Sequence, residues 1–152
     1  IPTAPSTAAE NWGLPGDTSL ALKLAIGGAV HPVPLIRDDS GTAVAGSATI
    51  TPFEGRDFVG EVIVDDHVLL SGSNELGARL VPMLDAPGIA AVRYKRGWFG
   101  RVGADMSSLS TGRAVQAGGV KLKVSVDGVD RPRPVDKVTF YRHLRDLQVV
   151  RG

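Results

Sequence analysis

VKLKVSV, residues 120–126, alternates apolar and polar side chains without a break. A period of two puts Val120, Leu122, Val124 and Val126 on one side of an extended backbone and leaves Lys121 and Lys123 to solvent. DGVDRPRP, residues 127–134, follows as a loop, and the stretch over 97–119 is rich in glycine and does not declare its structure. The alternating run therefore predicts one half-buried strand, and the question is how many others accompany it.

Several do. DFVGEVIV (57–64), residues 42–51 with Val44, Ala48 and Ile50 on one side, and IAAVRYK (89–95) all read as strands. Leu20, Leu22, Leu24 and Ile26 alternate with Ala21, Lys23 and Ala25, which also predicts a strand. AVHPVPLI (29–36) is extended, and Pro32 and Pro34 lack N–H donors, so it suits a sheet edge. Asp38-Asp39-Ser40-Gly41, Glu54-Gly55-Arg56 and Asp65-Asp66 punctuate the series as turns. Short strands at 8–12-residue spacing predict a mainly β fold, an antiparallel β-sandwich or barrel.

Two segments carry helical spacing. In residues 73–84, Ser73 is a candidate N-cap and Leu76, Leu80 and Leu84 share a face, although Gly77 and Pro82 weaken it. In residues 136–148, Asp136 is a candidate N-cap and Val138, Tyr141, Leu144 and Leu147 recur at helical intervals; a strand over 137–141 is the alternative, because Val138, Phe140 and Tyr141 favour one. Residues 1–17, with three prolines and small polar side chains, predict an extended N-terminal arm in which Trp12 is the anchor. Residues 18–152 then form a single β-rich domain. A chain beginning at Ile1 is expected to be a processed product or a fragment of something longer.

The charge is split by position. Residues 1–88 carry a net −7 and residues 89–152 a net +8, which cancel to +1. If that split is also spatial, copies of the protein would attract one another acidic face to basic face. No apolar run approaches the ~20 residues of a membrane helix. The absence of cysteine excludes disulfides, thiolate metal sites and cysteine nucleophiles.

Catalytic motifs are scarce. VDDHVLLSGS (64–73) gathers Asp65, Asp66, His67, Ser71 and Ser73, the residue types of a serine hydrolase. Along one strand, however, His67 and Ser71 stand about 13 Å apart. Asp39-Ser40-Gly41 resembles the Asp-Ser-Gly of retroviral-type aspartic proteases over three residues, but Arg37 and Asp38 precede it where those enzymes have an apolar strand. His31, His67 and His143 lie far apart, with no metal-ligand spacing. No G-x-G-x-x-G follows a strand and no P-loop lysine is present, so neither a cofactor nor a metal is expected.

The richest patch is RYKRGWFGR, residues 93–101. Arg93, Lys95, Arg96 and Arg101 interleave there with Tyr94, Trp98 and Phe99. Together with Trp12, the residues Arg93, Tyr94, Lys95, Arg96, Trp98 and Arg101 are the candidate partner-binding set. Arg96-Gly97-Trp98 resembles the opening of a ribonucleoprotein motif, from which Phe99 departs. Rings that stack and cations that track phosphates would suit single-stranded nucleic acid or another polyanion. The sequence thus points first to a non-catalytic assembly domain, a homo-oligomer or component of a virion, phage or bacterial surface machine, expected to be soluble and in a virion or extracytoplasmic setting. An anionic-ligand module built on 93–101 and a serine hydrolase centred on His67 with Ser71 or Ser73 are the alternatives.

Overall fold

Two glycines at the middle of one long strand set the architecture. In the computed structural model, which describes residues 2, 4–55 and 57–151, two helices come first, α1 (Thr7–Asn11) and α2 (Thr18–Gly27). The strands that follow among the described residues are β1 (Val30–Val33), β2 (Ile36–Asp38), β3 (Ala43–Val44), β4 (Ala48–Pro52), β5 (Phe58–Val64), β6 (His67–Glu75) and β7 (Ala78–Pro82). They continue with β8 (Ile89–Arg96), β9 (Val102–Ala104), β10 (Ser110–Gly112), β11 (Ala114–Val126), β12 (Val129–Asp130), β13 (Val135–Arg142) and β14 (Leu147–Val150). The protein is mainly β, a curled antiparallel sheet with few short helices.

The large sheet runs β10-β8-β7-β4-β11-β13-β2-β3, with β5, β6, β9 and β12 branching from it. β11 is its spine. Its first half pairs with β5, from Val115↔Val64 to Gly119↔Gly60, and its second half with β4, from Leu122↔Pro52 to Val126↔Ala48. β13 lies on the other side, and its register shifts between Gly118 and Leu122. Gly118 and Gly119 let the backbones touch there: a Cβ on Gly60 would meet the Gly118 carbonyl oxygen at 2.1 Å, and one on Gly119 the Val59 oxygen at 2.5 Å. The bend curls the sheet, and its concave side closes on Phe58, Phe140, Ile36, Ile50, Leu80, Ile89 and Leu122, all fully buried. Within the opening heptapeptide Leu122, Val124 and Val126 are buried, as the alternation requires, whereas Val120 is exposed just before the register recovers.

The helices are not where helical spacing put them. Residues 73–84 form the end of β6 and all of β7, where burial alternates through Ala78, Leu80 and Pro82. Gly77, at φ +103°, separates the two strands, and a Cβ there would sit 2.1 Å from the Ile50 oxygen. Residues 136–148 form most of β13 and the start of β14. Val138 and Phe140 are buried, and Leu144 is 94% exposed in the turn between them. In both segments the apolar residues at helical spacing are accidental company for a stronger period of two.

The reverse error occurred at 20–26. These residues are α2, capped by Asp17, whose carboxylate accepts the Leu20 N–H at 2.9 Å. Ala, Leu and Lys are good helix formers, and only Ile26 is β-branched, so local propensity overrode the alternation. Ala21 is the buried residue of α2, and Ile26 is 80% exposed. The segment read as an extended arm holds α1, capped by Ser6. None of the helices among the described residues is long and apolar enough to cross a membrane.

The strand reading of 136–148 separates two substitutions that a helix would make equivalent. Phe140→Ala should lower the unfolding free energy by about 3–5 kcal/mol, and Leu144→Ala should change it by less than about 0.5 kcal/mol, both measured by urea denaturation.

Candidate functional site

Two aspartate-bearing turns, β2–β3 and β11–β12, meet at the edge of one pocket. The β2–β3 turn runs from Asp38 to Thr42, with Gly41 at φ +88°. Asp38 is 1% exposed, and its Oδ1 accepts hydrogen bonds from the Ser40 N–H (3.0 Å), the Ser40 hydroxyl (2.7 Å) and the Thr42 N–H (2.8 Å). Its Oδ2 takes Nη2 of Arg131 at 2.7 Å, and the same nitrogen reaches Oδ1 of Asp39. Asp127 and Gly128, both at positive φ, turn β11 into β12 as a two-residue hairpin. The Asp127 carboxylate accepts from the N–H groups of Ala45 (2.9 Å), Gly46 (2.6 Å) and Ser47 (2.8 Å). α1 closes this end, with Asn11 Nδ2 donating to the Gly46 oxygen.

These turns frame a pocket of about 450 Å³, lined by Asp38, Ser40, Thr42, Val129, Arg131 and Arg133 among others. Its chemistry is that of recognition. Burial alone would raise the Asp38 pKa, but the Ser40 hydroxyl, Arg131 and the Thr42 N–H together hold it below its ordinary 3.8. The Arg131 guanidinium is correspondingly held in its charged form: burial opposes the charge, and Asp38 and Asp39 outweigh burial. A carboxylate so stabilised is a poor base, and Ser40, already donating to it, is not an activated nucleophile. Arg131 Nε is buried without a hydrogen-bond partner among the described residues, and Arg133 is exposed on the rim.

The sequence-derived set lies elsewhere. Arg93, Tyr94, Lys95 and Arg96 are on β8, and Trp98 and Phe99 form a single 3-10 turn (Trp98–Gly100) leading to Arg101 and β9. Asp105 is buried beneath this ribbon. Lys95 Nζ reaches its Oδ1 at 2.7 Å, the Ser107 hydroxyl reaches the same oxygen at 2.7 Å, and Arg93 Nε reaches its Oδ2 at 3.2 Å. Lys95 and then Ser107 drive its pKa far below the ordinary carboxylate range against the effect of burial, with Arg93 assisting. Burial of Tyr94 raises its phenol, opposed by Arg79. Trp12 is apart from all of them, half-buried in a groove with Leu24 and Val149.

The hydrolase set does not converge. His67, Ser71 and Ser73 lie along β6, all exposed. The Asp65 carboxylate is engaged with the N–H groups of Arg113 (2.9 Å) and Ala114 (2.8 Å), where it clamps the start of β11 instead of orienting an imidazole. The charge split is not spatial either. β11, from the cationic half of the sequence, pairs along one edge with β5 and then β4 of the anionic half, and Arg131 is bonded to Asp38 and Asp39.

No protein-family model matches the sequence. No curated protein matches it significantly. Solved structures do. A diacylglycerol kinase from Bacillus anthracis str. Sterne superposes with a TM-score of 0.70 at 11% identity, over 96% of this chain and 63% of that one. An NAD kinase from Archaeoglobus fulgidus, in complex with ATP, gives 0.52 at 11% identity over 89% and 61%. Yeast NADH kinase, complexed with NADH, gives 0.53 at 11% identity over 88% and 46%. The fold is one found in kinases, and the chain spans under two thirds of each neighbour's length. This overturns the assembly-domain expectation, with its virion or surface-machine setting: the neighbours are kinases, not structural components, and none supports the single-stranded nucleic-acid reading of 93–101. The hydrolase alternative fails on the geometry of β6 and Asp65.

Of the pocket, the sequence signalled only the turns. Asp38 to Gly41 and the 127–134 loop were legible as such, but their convergence across β2, β11 and β13 was not. The Asp-Gly pair at 127–128, directly after an alternating strand, is the signal that a hairpin rather than an open loop begins there.

Because the Asp38 pKa lies lower in the folded than in the unfolded protein, its contribution to stability is complete above about pH 4 and is lost as pH falls through the folded value. Asp38→Asn should cost about 2–4 kcal/mol at pH 7 by leaving Arg131 without its buried partner. It should also flatten the loss of stability below pH 4, as followed by urea denaturation across pH 2–7.

Proposed function

We propose that this chain is the β-rich, acceptor-side part of a phosphotransferase of the kind its structural neighbours represent. The observation that carries the reading is the superposition on a diacylglycerol kinase over 96% of the chain at a TM-score of 0.70. Phosphoryl transfer needs a grip on the nucleotide phosphates, a metal-bridged γ-phosphoryl group and an aligned acceptor hydroxyl. The sequence has no phosphate-binding glycine loop and no P-loop lysine, so polypeptide beyond these residues would grip the donor. The shares of the neighbours left uncovered, from 37% upward, leave room for it.

In this reading the pocket of Ser40, Thr42, Arg131 and Arg133 holds the acceptor. Arg131 and Arg133 offer positive charge to the phosphoryl group being transferred, and the two hydroxyls offer hydrogen bonds to the acceptor. In the reaction the acceptor oxygen bonds to the γ-phosphorus, the bond to the departing nucleoside diphosphate breaks, and the hydroxyl proton goes to a base. Asp38, Asp105 and Asp127 are all committed to hydrogen bonds within the fold. This chain's contribution is therefore alignment and charge, which in phosphoryl transfer make up most of catalysis.

The test is ADP release by the full-length gene product with Mg-ATP, offering diacylglycerol in mixed micelles and NAD in solution. Turnover with one acceptor is expected. Arg133→Ala, on the exposed rim, should lower kcat/KM about tenfold, the loss of one charge-assisted contact, at an unchanged melting temperature. Arg131→Lys should do the same while keeping a cation beside Asp38. No turnover with either acceptor, or an unchanged kcat/KM in Arg133→Ala, overturns the reading.

A further inference from the structure

We propose that the tip of the β8–β9 ribbon, residues 96–102, is an interfacial anchor that seats the protein on an anionic lipid bilayer. The proposal goes beyond the phosphotransferase reading and stands without it.

The ribbon leaves the body of the sheet. β8 pairs with β7 as far as Arg93 and with β10 as far as Ala91. Beyond these its ladder runs with β9, through Tyr94↔Ala104, Lys95↔Gly103 and Arg96↔Val102, and the Tyr94 N–H reaches back to the Gly77 oxygen at 2.8 Å. Trp98 and Phe99 stand at its end, 86% and 93% exposed, and Val102 beside them is also exposed. Their ring centroids are 6.3 Å apart with the planes tilted by 51°, so they touch each other and offer no flat stacked platform. Two of the largest apolar side chains of the protein are thus placed next to each other, away from its core, which marks a contact surface.

The backbone points the same way. Phe99 sits at φ +60° and Gly100 at φ +72°. Glycine adopts that region freely, whereas a bulky residue in it is an outlier that only the surroundings or a function sustains. Nothing in the core holds this phenylalanine, since its ring is almost wholly exposed.

Charge identifies the occupant. Lys95, Trp98 and Arg101 line one shallow hollow at the tip, and Arg96, the last residue of β8, adjoins it. Lys95 and Arg93 are fixed at the base of the ribbon by Asp105. Arg96 and Arg101 have no carboxylate within 4 Å among the described residues. Exposed aromatic rings with cations beside them on one projecting tip suit a bilayer surface, where rings sit at headgroup level and below and cations meet lipid phosphates. Each cation near an anionic leaflet adds to the attraction, and salt screens it.

The experiment is co-sedimentation of the protein with vesicles of phosphatidylcholine alone and of phosphatidylcholine mixed with phosphatidylglycerol. Binding is expected to the mixed vesicles, to weaken as salt is raised, and to fall at least about tenfold in Trp98→Ser/Phe99→Ser. Circular dichroism melting should be unchanged in that variant, because neither ring packs on the core. Arg96→Glu/Arg101→Glu should abolish the preference for phosphatidylglycerol, and in a Trp12→Phe background the Trp98 emission should shift to the blue on mixed vesicles. Binding to neither vesicle at low salt, or undiminished binding by the Trp98/Phe99 variant, overturns the proposal. So does a concentration-dependent dimer that this variant disperses, since the tip would then be covered by a second copy. Vesicle binding without phosphoryl transfer would leave this inference standing and remove the functional reading, and transfer without vesicle binding would do the opposite.

Discussion

The contact on which the rest of the structure depends is the backbone-to-backbone approach of Gly60 to Gly118 and Gly119. It lets β11 bend at its middle and serve two sets of partners, β5 before the bend and β4 after it, while β13 runs along its other edge. Without the bend the sheet could not curl around Phe58, Phe140 and Leu122, and the apolar side chains of the two halves would face solvent rather than one another. Side chains at Gly60 and Gly119 would force the strands apart, so the core's burial energy is contingent on a few atoms that are absent.

The sheet also explains how the acidic residues are used. Asp65 and Asp127 both occupy left-handed turn positions, and both extend a carboxylate across to the N–H groups that begin or precede another strand. Asp38 does the same within its own turn and adds Arg131. These carboxylates satisfy backbone donors at strand ends that the ladders leave open. At Asp38, against the effect of burial, the Ser40 hydroxyl, Arg131 and the Thr42 N–H hold the carboxyl below its ordinary pKa, which suits it to structure and unsuits it to proton transfer. Asp38 and Asp65 are the clamps that come from the acidic first 88 residues, and Asp38 with Asp39 holds Arg131 from the cationic second half.

Legibility from sequence followed the strength of the local pattern. The mainly β character was readable because VKLKVSV and DFVGEVIV alternate over full strands with turn residues at their ends. The helices were not readable. At 20–26 four apolar residues alternate by chance on a segment whose Ala, Leu and Lys content and Asp17 cap favour a helix. At 73–84 and 136–148, leucines at helical spacing masked Val138, Phe140, Ala78 and Leu80, whose burial decides the matter. The pocket was unreadable for a different reason. Asp38 and Arg131 are 93 residues apart and meet only because β13 pairs with β2 and β11. The aromatic and basic cluster at 93–101 could be singled out, since it is local, but that its rings face outward could not be known before the ribbon was seen to leave the sheet.

β1 and β14 form a ribbon of their own, from Val30↔Val150 to Val33↔Leu147, with no ladder to the large sheet. α2 presses on it at Gly28, where a Cβ would lie within 3 Å of both Val150 and Leu24. Segments from opposite ends of the described chain are therefore zipped into one latch beside the curled body. Closing a latch of that span is entropically the most distant step in the topology, so it follows the body in folding and precedes it in opening. Amide protons of α2, β1 and β14 then exchange together, on a faster clock than those of β11.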